Sequence, residues 1–136
     1  MAVIKRMDIT VNNGDNGTDG RVYLGLGGRE FLLDRPGKND FRKNQTERFV
    51  LGDANNVDSV KHPDRNDPHA LLPIDSADLD RFPIYIRLDA PLAWHLEGVQ
   101  VTVKSDDGTR TFAALPGNQN LFLGDDYGKI LFLKPV

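Results

Sequence analysis

Residues with short oxygen-bearing side chains, together with glycine, are concentrated in three stretches of this chain, and they can bind a hard cation. Calcium accepts roughly six to eight oxygens from carboxylates, amides and main-chain carbonyls, and glycine lets a carbonyl come close to an ion. If the three stretches meet in space, we expect a calcium site. The candidate ligands are Asp15, Gly17, Thr18 and Asp19 in the first loop (residues 12–20), Asp34, Gly37, Asn39 and Asp40 in the second loop (residues 34–45), and Asp89 and Ala90 in the third loop.

The same composition also fits ordinary turns, because Asp, Asn and Gly are the residues that turns favour. Composition alone therefore does not separate a calcium site from a set of solvated turns. An EF-hand is excluded, since the twelfth position counted from Asp15 is Leu26, where that motif requires a glutamate. A zinc site at His62 and His69 lacks a third ligand, so we expect both to be solvated loop histidines.

The sequence offers little for catalysis or for nucleic-acid binding. It has 136 residues and no cysteine, which excludes disulfides, thiol nucleophiles and thiolate zinc sites. No Ser/His/Asp set, catalytic carboxylate pair or phosphate-binding glycine loop stands out, so we expect a protein that is not an enzyme. The formal net charge of −3 argues against nucleic acid as the main partner, which would require a basic face.

Short runs of alternating apolar and polar residues lie between these loops and predict strands rather than helices. Val99, Val101 and Val103, for example, point to one side of a run whose intervening residues are polar. Turn residues separate the runs, which is typical of an all-β protein. We therefore predict one domain, residues 1–136, folded as an eight-stranded antiparallel β-sandwich with a long irregular connection at about 52–81. The predicted strands are 3–11, 21–27, 30–33, 46–51, 82–88, 98–104, 109–115 and 129–133.

Three ordered motifs resemble a known family. Residues 18–26, TDGRVYLGL, resemble the "GTDxxVYxxL" opening of PLAT domains, also called lipoxygenase-homology (LH2) domains. Residues 33–41, LDRPGKNDF, followed by TERF at 46–49, resemble their second loop and fourth strand, and WHLEGVQV at 94–101 is similar to their "WxLxxVxV" element. The nearest likeness is to the C-terminal, calcium-dependent lipid-binding domain of bacterial phospholipase C toxins.

This resemblance implies a β-sandwich with calcium bound between loops at one end, and it assigns the ligands to the residues given above. The chain departs from the toxin pattern in the second loop, where Arg35 replaces Asn and Lys38 is an additional residue. Cations beside a cation site weaken it by repulsion, so we expect this loop to hold metal less well than the first. The family also implies that Trp94 packs beneath the loops; the alternative is an exposed Trp94 that enters a membrane interface.

The resulting hypothesis is a non-catalytic calcium-binding module that docks on a membrane lipid surface or a partner protein and targets an associated enzyme. The alternative is a carbohydrate- or protein-binding sandwich in which calcium is purely structural. The loops are mostly polar, which favours the alternative or a shallow lipid contact. No apolar run approaches the ~20 residues of a membrane span, and no signal peptide is visible. The compartment stays open, and is secreted or extracellular if the chain belongs to a longer parent.

Overall fold

In the computed structural model, the segments in which apolar and polar residues alternate are β-strands. In the longest strand, Val101 and Val103 are buried, whereas Gln100 and Lys104 are exposed. The structure describes residues 2–35, 40–52, 65–69, 72–114 and 121–136. The elements within these residues are β1 (Ile4–Asn13), β2 (Arg21–Leu26), β3 (Arg29–Leu32), β4 (Thr46–Gly52), α1 (Asp78–Arg81), β5 (Tyr85–Asp89), β6 (Trp94–Ser105), β7 (Gly108–Ala114), β8 (Leu121–Leu123), β9 (Ile130–Phe132) and β10 (Lys134–Pro135).

The strands form two antiparallel sheets. The six-stranded sheet has the order β10-β7-β6-β1-β4, with β8 paired to the first residues of β6. The four-stranded sheet has the order β3-β2-β5-β9. The predicted all-β sandwich is therefore confirmed, and each of the predicted strands has a counterpart. The additional strands β8 and β10 contain three and two residues, too few for alternation to be recognised in a sequence.

The strand predicted at 82–88 begins later, at Tyr85, because the residues before it belong to a different element. Phe82 donates its N–H to the first residue of α1 at 3.2 Å, and Pro83 has no N–H to offer a strand. The single turn α1 is the short element within the irregular connection at 52–81, which the structure describes in part. No helix among the described residues is long and apolar enough to cross a membrane.

The core between the sheets is apolar and draws on both of them. β1 contributes Met7, Ile9 and Val11 from the larger sheet, and β2 contributes Val22 and Leu24 from the smaller one; all five are fully buried. Burial of one such side chain stabilises the folded chain by about 1.5–3 kcal/mol. This core fixes the two sheets against each other, and thereby the loops that leave their ends.

The β3 edge of the smaller sheet is covered rather than left open. The Leu32 N–H donates to the buried side chain of Asn66 at 2.7 Å. The Arg29 guanidinium donates to the carbonyl oxygens of Leu72 at 3.1 Å and Arg65 at 3.3 Å. These bonds use hydrogen-bonding groups that could otherwise pair with another chain.

Gly52 is a position at which a side chain would disturb the larger sheet. Its φ is +95°, and an added Cβ would lie 2.1 Å from the carbonyl oxygen of Lys5. We expect Gly52→Ala to lower the free energy of unfolding by about 2 kcal/mol or more, because backbone strain and a steric clash add together. Urea unfolding followed by circular dichroism measures this change.

The control is Gly108→Ala, which introduces strain without a clash. The φ of Gly108 is +128°, but nothing lies within 4 Å of an added Cβ. We expect a loss of about half that of Gly52→Ala. Equal losses at the two positions would contradict the clash at Gly52.

Candidate functional site

Strand pairing brings the three predicted loops to one end of the sandwich, called the loop end below. The described residues of these loops are 14–20, 33–35 with 40–45, and 90–93. Main-chain hydrogen bonds join the first loop to the second loop and to His95 in β6. These bonds run from Gly14 N to His95 O at 2.8 Å, from His95 N to Asn16 O at 2.8 Å, from Thr18 N to Phe41 O at 2.9 Å, and from Asn44 N to Gly14 O at 2.7 Å.

Trp94 lies beneath the loops and is fully buried, as the family resemblance implied. Its indole Nε1 donates to Asn13 Oδ1 at 2.7 Å, and its ring meets the Phe41 ring edge-on with centroids 5.1 Å apart. Asn13 donates in turn to the Glu47 carboxylate and to the Gln45 carbonyl. This burial excludes the alternative in which Trp94 enters a membrane interface.

Glu47 is a carboxyl group buried beneath the second loop. One of its oxygens accepts from Asn13, and the other accepts from the Arg42 N–H at 3.4 Å. Burial raises the pKa of Glu47, because the ionised form loses hydration that these hydrogen bonds replace only in part. A carboxyl group whose pKa is raised above its usual value therefore lies beneath the loop end.

Gly17 and Phe41 set how closely the first and second loops approach. Phe41 is buried with a φ of +58°, a left-handed conformation that costs a residue other than glycine about 1–3 kcal/mol. This conformation accompanies the hydrogen bond that the Phe41 carbonyl accepts from Thr18. A Cβ at Gly17 would lie 2.3 Å from that carbonyl oxygen, so only glycine fits there.

The structure brings four of the predicted ligands together. Thr18, Asp19, Asp34 and Asp40 line a cavity of about 230 Å³ between the first and second loops. They supply three carboxylates and one hydroxyl, which are oxygen donors of the type that calcium binds. The Thr18 Oγ1 also accepts a hydrogen bond from the Gly20 N–H at 3.0 Å, which orders the turn.

Other predicted ligands do not reach this cavity. A carboxylate oxygen of Asp15 lies 2.7 Å from Nδ1 of the buried His95, and the Asp15 N–H donates to the same nitrogen at 3.0 Å. Asp89 is exposed at the end of β5, and Ala90 lines a separate groove.

Arg35 forms an ion pair with Asp40 within the second loop. Its Nε lies 2.6 Å from one carboxylate oxygen of Asp40, and its main-chain N–H donates to the other at 2.7 Å. The Asp40 side chain is only 6% exposed, so little water competes with this pair. The weaker metal binding expected of the second loop stays a prediction, and this pair gives a physical reason for it: the Arg35 guanidinium competes with a cation for one Asp40 oxygen.

The cavity suits calcium in its donor chemistry but only partly in its arrangement. Among the residues that the structure describes, no group of three or more His, Cys, Asp or Glu side chains could hold a metal ion. Further oxygens would have to come from main-chain carbonyls, or from the predicted ligands Gly37 and Asn39, which lie outside the described residues. The assignment of those two residues stays a prediction.

A larger groove of about 860 Å³ opens beside the cavity. Its lining includes the basic residues Arg42 and Lys43 and, from the third loop, Pro91 and Leu92. Leu92 is 79% exposed, so the tip of the third loop is an exception to the predicted polarity of the loops. The apolar tip is visible in the sequence as Ala-Pro-Leu-Ala at 90–93. The alternation of apolar and polar residues, however, does not distinguish an exposed apolar tip from the end of a strand.

A fourth loop, residues 124–129, packs against the third. The Asp125 N–H donates to the Pro91 carbonyl at 3.1 Å. Phe122 stacks on His95 with centroids 4.7 Å apart, and Tyr127, which is 61% exposed, lies 5.4 Å from Phe122. The fourth loop therefore adds an exposed aromatic ring to the loop end.

Comparison with known proteins identifies the fold. No family model and no curated protein sequence matches the chain. Among solved structures, it matches coral 8R-lipoxygenase with a TM-score of 0.58 and 18% identity over 96% of its residues. It matches alpha toxin from Clostridium absonum with a TM-score of 0.56 and 22% identity over 97%. A lipoxygenase in complex with arachidonate gives a TM-score of 0.56 and 17% identity over 100%. The fold is that of the PLAT domains.

The PLAT fold confirms the resemblance found in the sequence motifs. The chain spans only 17% of the two lipoxygenases and 32% of the alpha toxin. In those proteins the PLAT fold is therefore one part of a longer chain.

Glu47→Gln removes the titratable group beneath the PLAT loops. The raised pKa means that the folded chain binds more protons than the unfolded chain just above the usual value of 4.5, so ionisation of Glu47 costs stability as pH rises. We therefore expect Glu47→Gln to become more stable relative to the native sequence, that is, its free energy of unfolding should rise relative to native, between about pH 4 and pH 7. Denaturant unfolding at several pH values measures this difference.

Glu30→Gln provides a control of opposite sign. The hydrogen bonds from Arg87 hold the pKa of Glu30 below its usual value, so its ionised form adds stability that is lost as pH falls. Glu30→Gln should therefore become relatively less stable as pH rises. The same trend in both variants would contradict the role given to Glu47.

Proposed function

We propose that this chain is a non-catalytic interaction domain that docks through its loop end on a phospholipid surface and holds an associated enzyme there. The observation that carries this proposal is the third-loop tip: Pro91 and the 79%-exposed Leu92 line the same groove as Arg42 and Lys43. An apolar tip beside basic side chains matches a membrane interface, where hydrocarbon lies below anionic phosphate.

The third-loop tip is held in place before any contact with a membrane. The ring of Pro91 restricts its own φ, and its carbonyl accepts from the Asp125 N–H at 3.1 Å. On the other side of Leu92, the Ala93 carbonyl accepts from Asn16 Nδ2 at 2.9 Å. A tip ordered in advance loses little conformational entropy on docking, so more of the burial free energy contributes to affinity.

The comparisons support this proposal at the level of the fold. Coral 8R-lipoxygenase is activated by calcium through a C2-like domain. By analogy, calcium would be held here by Thr18, Asp19 and Asp34, which line the small cavity. Bound calcium would supply positive charge that links lipid phosphates to an otherwise acidic pair of loops.

A second candidate is a protein- or carbohydrate-binding domain in which calcium is purely structural. One observation favours it: the outer face of the smaller sheet carries Tyr85, which packs edge-on against Phe132 at 6.2 Å between centroids. Ile130 and Phe132 on this face are 45% and 56% exposed. A domain of this kind would show no dependence on the loop end when it binds its partner.

Leu92→Ser tests docking through the third loop. Loss of a leucine that enters the interface removes about 1.5–3 kcal/mol of apolar burial, so we expect vesicle affinity to fall by at least about tenfold. Co-sedimentation with phosphatidylcholine–phosphatidylglycerol vesicles measures the affinity, with and without calcium.

Leu72→Ser is the matched control, because Leu72 is also 79% exposed. It lies away from the loop end, near Ile74, which packs on the β2–β3 turn at Gly27. Leu72→Ser should leave vesicle binding unchanged. If native and both variant chains bind vesicles equally, the third loop is not the docking surface.

Arg35→Asn tests the calcium site. We expect calcium to raise the melting temperature of the native chain, by the equivalent of about 2.7 kcal/mol at a hundredfold excess over its dissociation constant. Arg35→Asn should increase this effect, because it frees the Asp40 carboxylate oxygen that Arg35 Nε now contacts and removes a positive charge beside the cavity. Asp19→Asn should reduce it. Differential scanning calorimetry with calcium and with magnesium provides the measurement.

Arg48→Asn is the control for loss of one arginine. Arg48 pairs with Asp8 at 3.0 Å on the larger sheet, outside the loop end. Arg48→Asn should show the same calcium-induced rise in melting temperature as the native chain. If millimolar calcium moves the melting temperature of neither the native chain nor Arg35→Asn, the loops are ordinary turns.

A further inference from the structure

We propose that Arg42 and Lys43 bind the phosphate of an anionic phospholipid headgroup directly, without a bridging metal ion. This inference rests on the proposed docking of the loop end. It adds a second, calcium-independent contact and names the class of lipid that the groove selects.

The turn that carries the two basic residues is rigid, although their side chains are exposed. The Gln45 N–H donates to the Arg42 carbonyl at 3.2 Å, and the Asn44 N–H donates to Gly14 in the first loop at 2.7 Å. Asn44 adopts a φ of +58°, which closes the turn. The Arg42 N–H also contacts the Glu47 carboxylate. These hydrogen bonds hold the main chain of Arg42 and Lys43 in place, and both residues line the groove.

Arg42 and Lys43 differ from neighbouring arginines in their charge balance. Arg35 is paired with Asp40 at 2.6 Å, and Arg48 is paired with Asp8 at 3.0 Å. The side chains of Arg42 and Lys43 make no hydrogen bond or ion pair with any described residue. Their charges are therefore available to an anionic ligand, and guanidinium and ammonium groups are the usual protein partners of phosphate.

The apolar residues in the groove point to a lipid rather than free phosphate as the ligand. Leu92 and Pro91 line the same groove as Arg42 and Lys43, so a ligand that contacts both pairs carries an anion next to an apolar chain. A phospholipid in a bilayer has this arrangement, with the phosphate at the level of the basic residues when the apolar tip enters the interface. Inorganic phosphate has no apolar group that could contact Leu92, so it would gain no affinity from that residue.

Asp19 connects the groove with the cavity. It is the one acidic residue among the described groove-lining residues, and it also lines the smaller cavity with Asp34. Calcium held at Asp19 would remove its repulsion of a phosphate in the groove. Because such coupling is reciprocal, anionic lipid should also strengthen calcium binding.

The experiment compares two double variants with the same change in charge. Arg42→Gln/Lys43→Gln removes the proposed site, and Lys104→Gln/Lys134→Gln removes two exposed lysines from the larger sheet. Binding of the full chain is measured by co-sedimentation with vesicles of phosphatidylcholine alone and with phosphatidylglycerol added, in EDTA and in calcium. Circular dichroism melts verify that each variant folds.

We expect the native chain to bind phosphatidylglycerol vesicles in EDTA. Each basic residue near an anionic bilayer contributes roughly a fivefold gain in affinity, so Arg42→Gln/Lys43→Gln should bind about twenty-five-fold more weakly. The control double variant should lose little, and millimolar inorganic phosphate should compete poorly.

Three outcomes would overturn the inference in distinguishable ways. Equal losses in the two double variants would show a general charge effect. Calcium-dependent binding that is indifferent to Arg42 and Lys43 would leave the proposed docking intact but remove direct phosphate binding. Failure of the native chain to bind any vesicle would end both the docking proposal and this inference.

Discussion

The loop end depends on one buried amide. Asn13 accepts from Trp94 Nε1 at 2.7 Å, donates to the Gln45 carbonyl at 2.8 Å, and also donates to the Glu47 carboxylate. These contacts join β1, the start of β6 and the second loop with β4. A buried polar group is stabilising only when it is fully hydrogen-bonded, so this network specifies one arrangement of the loops. The main-chain bonds between the loops can form only in that arrangement.

The charged side chains around this network differ in how far they are exposed to solvent. The deeper pair, Arg35 with Asp40, is internally neutralised and shielded from water. Asp19 and Asp34 line the cavity beside it, and Arg42 and Lys43 stand in the open groove. The net charge of −3 and the Asp-rich loops would suggest a uniformly acidic loop end, but the structure shows both acidic and basic side chains there. It presents a small acidic cavity next to a larger groove whose lining includes both basic and apolar side chains.

The sequence predicted what local periodicity determines. Alternation in runs such as the one containing Val99 and Val101 was sufficient for the strands, and the three motifs were sufficient for the fold and for the place of Trp94. The assignment of the whole chain to a single domain stays a prediction. The contacts of Asp15 could not be predicted, because its carboxylate meets His95 across a separation of 80 residues. The capture of Asp40 by Arg35 depends on how one loop folds on itself, which composition does not reveal.

The strained residue Phe41 lines both the cavity and the groove, so it could link the cation and anion binding that we propose for them. Its left-handed backbone costs free energy, and such conformations persist only where surrounding contacts hold them. Here the Phe41 ring packs on Trp94, while its carbonyl accepts from Thr18 in the loop that separates the cavity from the groove. A shift of Thr18 or Asp19 on binding a cation would therefore be transmitted to Phe41, and from there to the adjoining Arg42. Cation binding in the cavity and anion binding in the groove would then be coupled through this one strained residue as well as through charge.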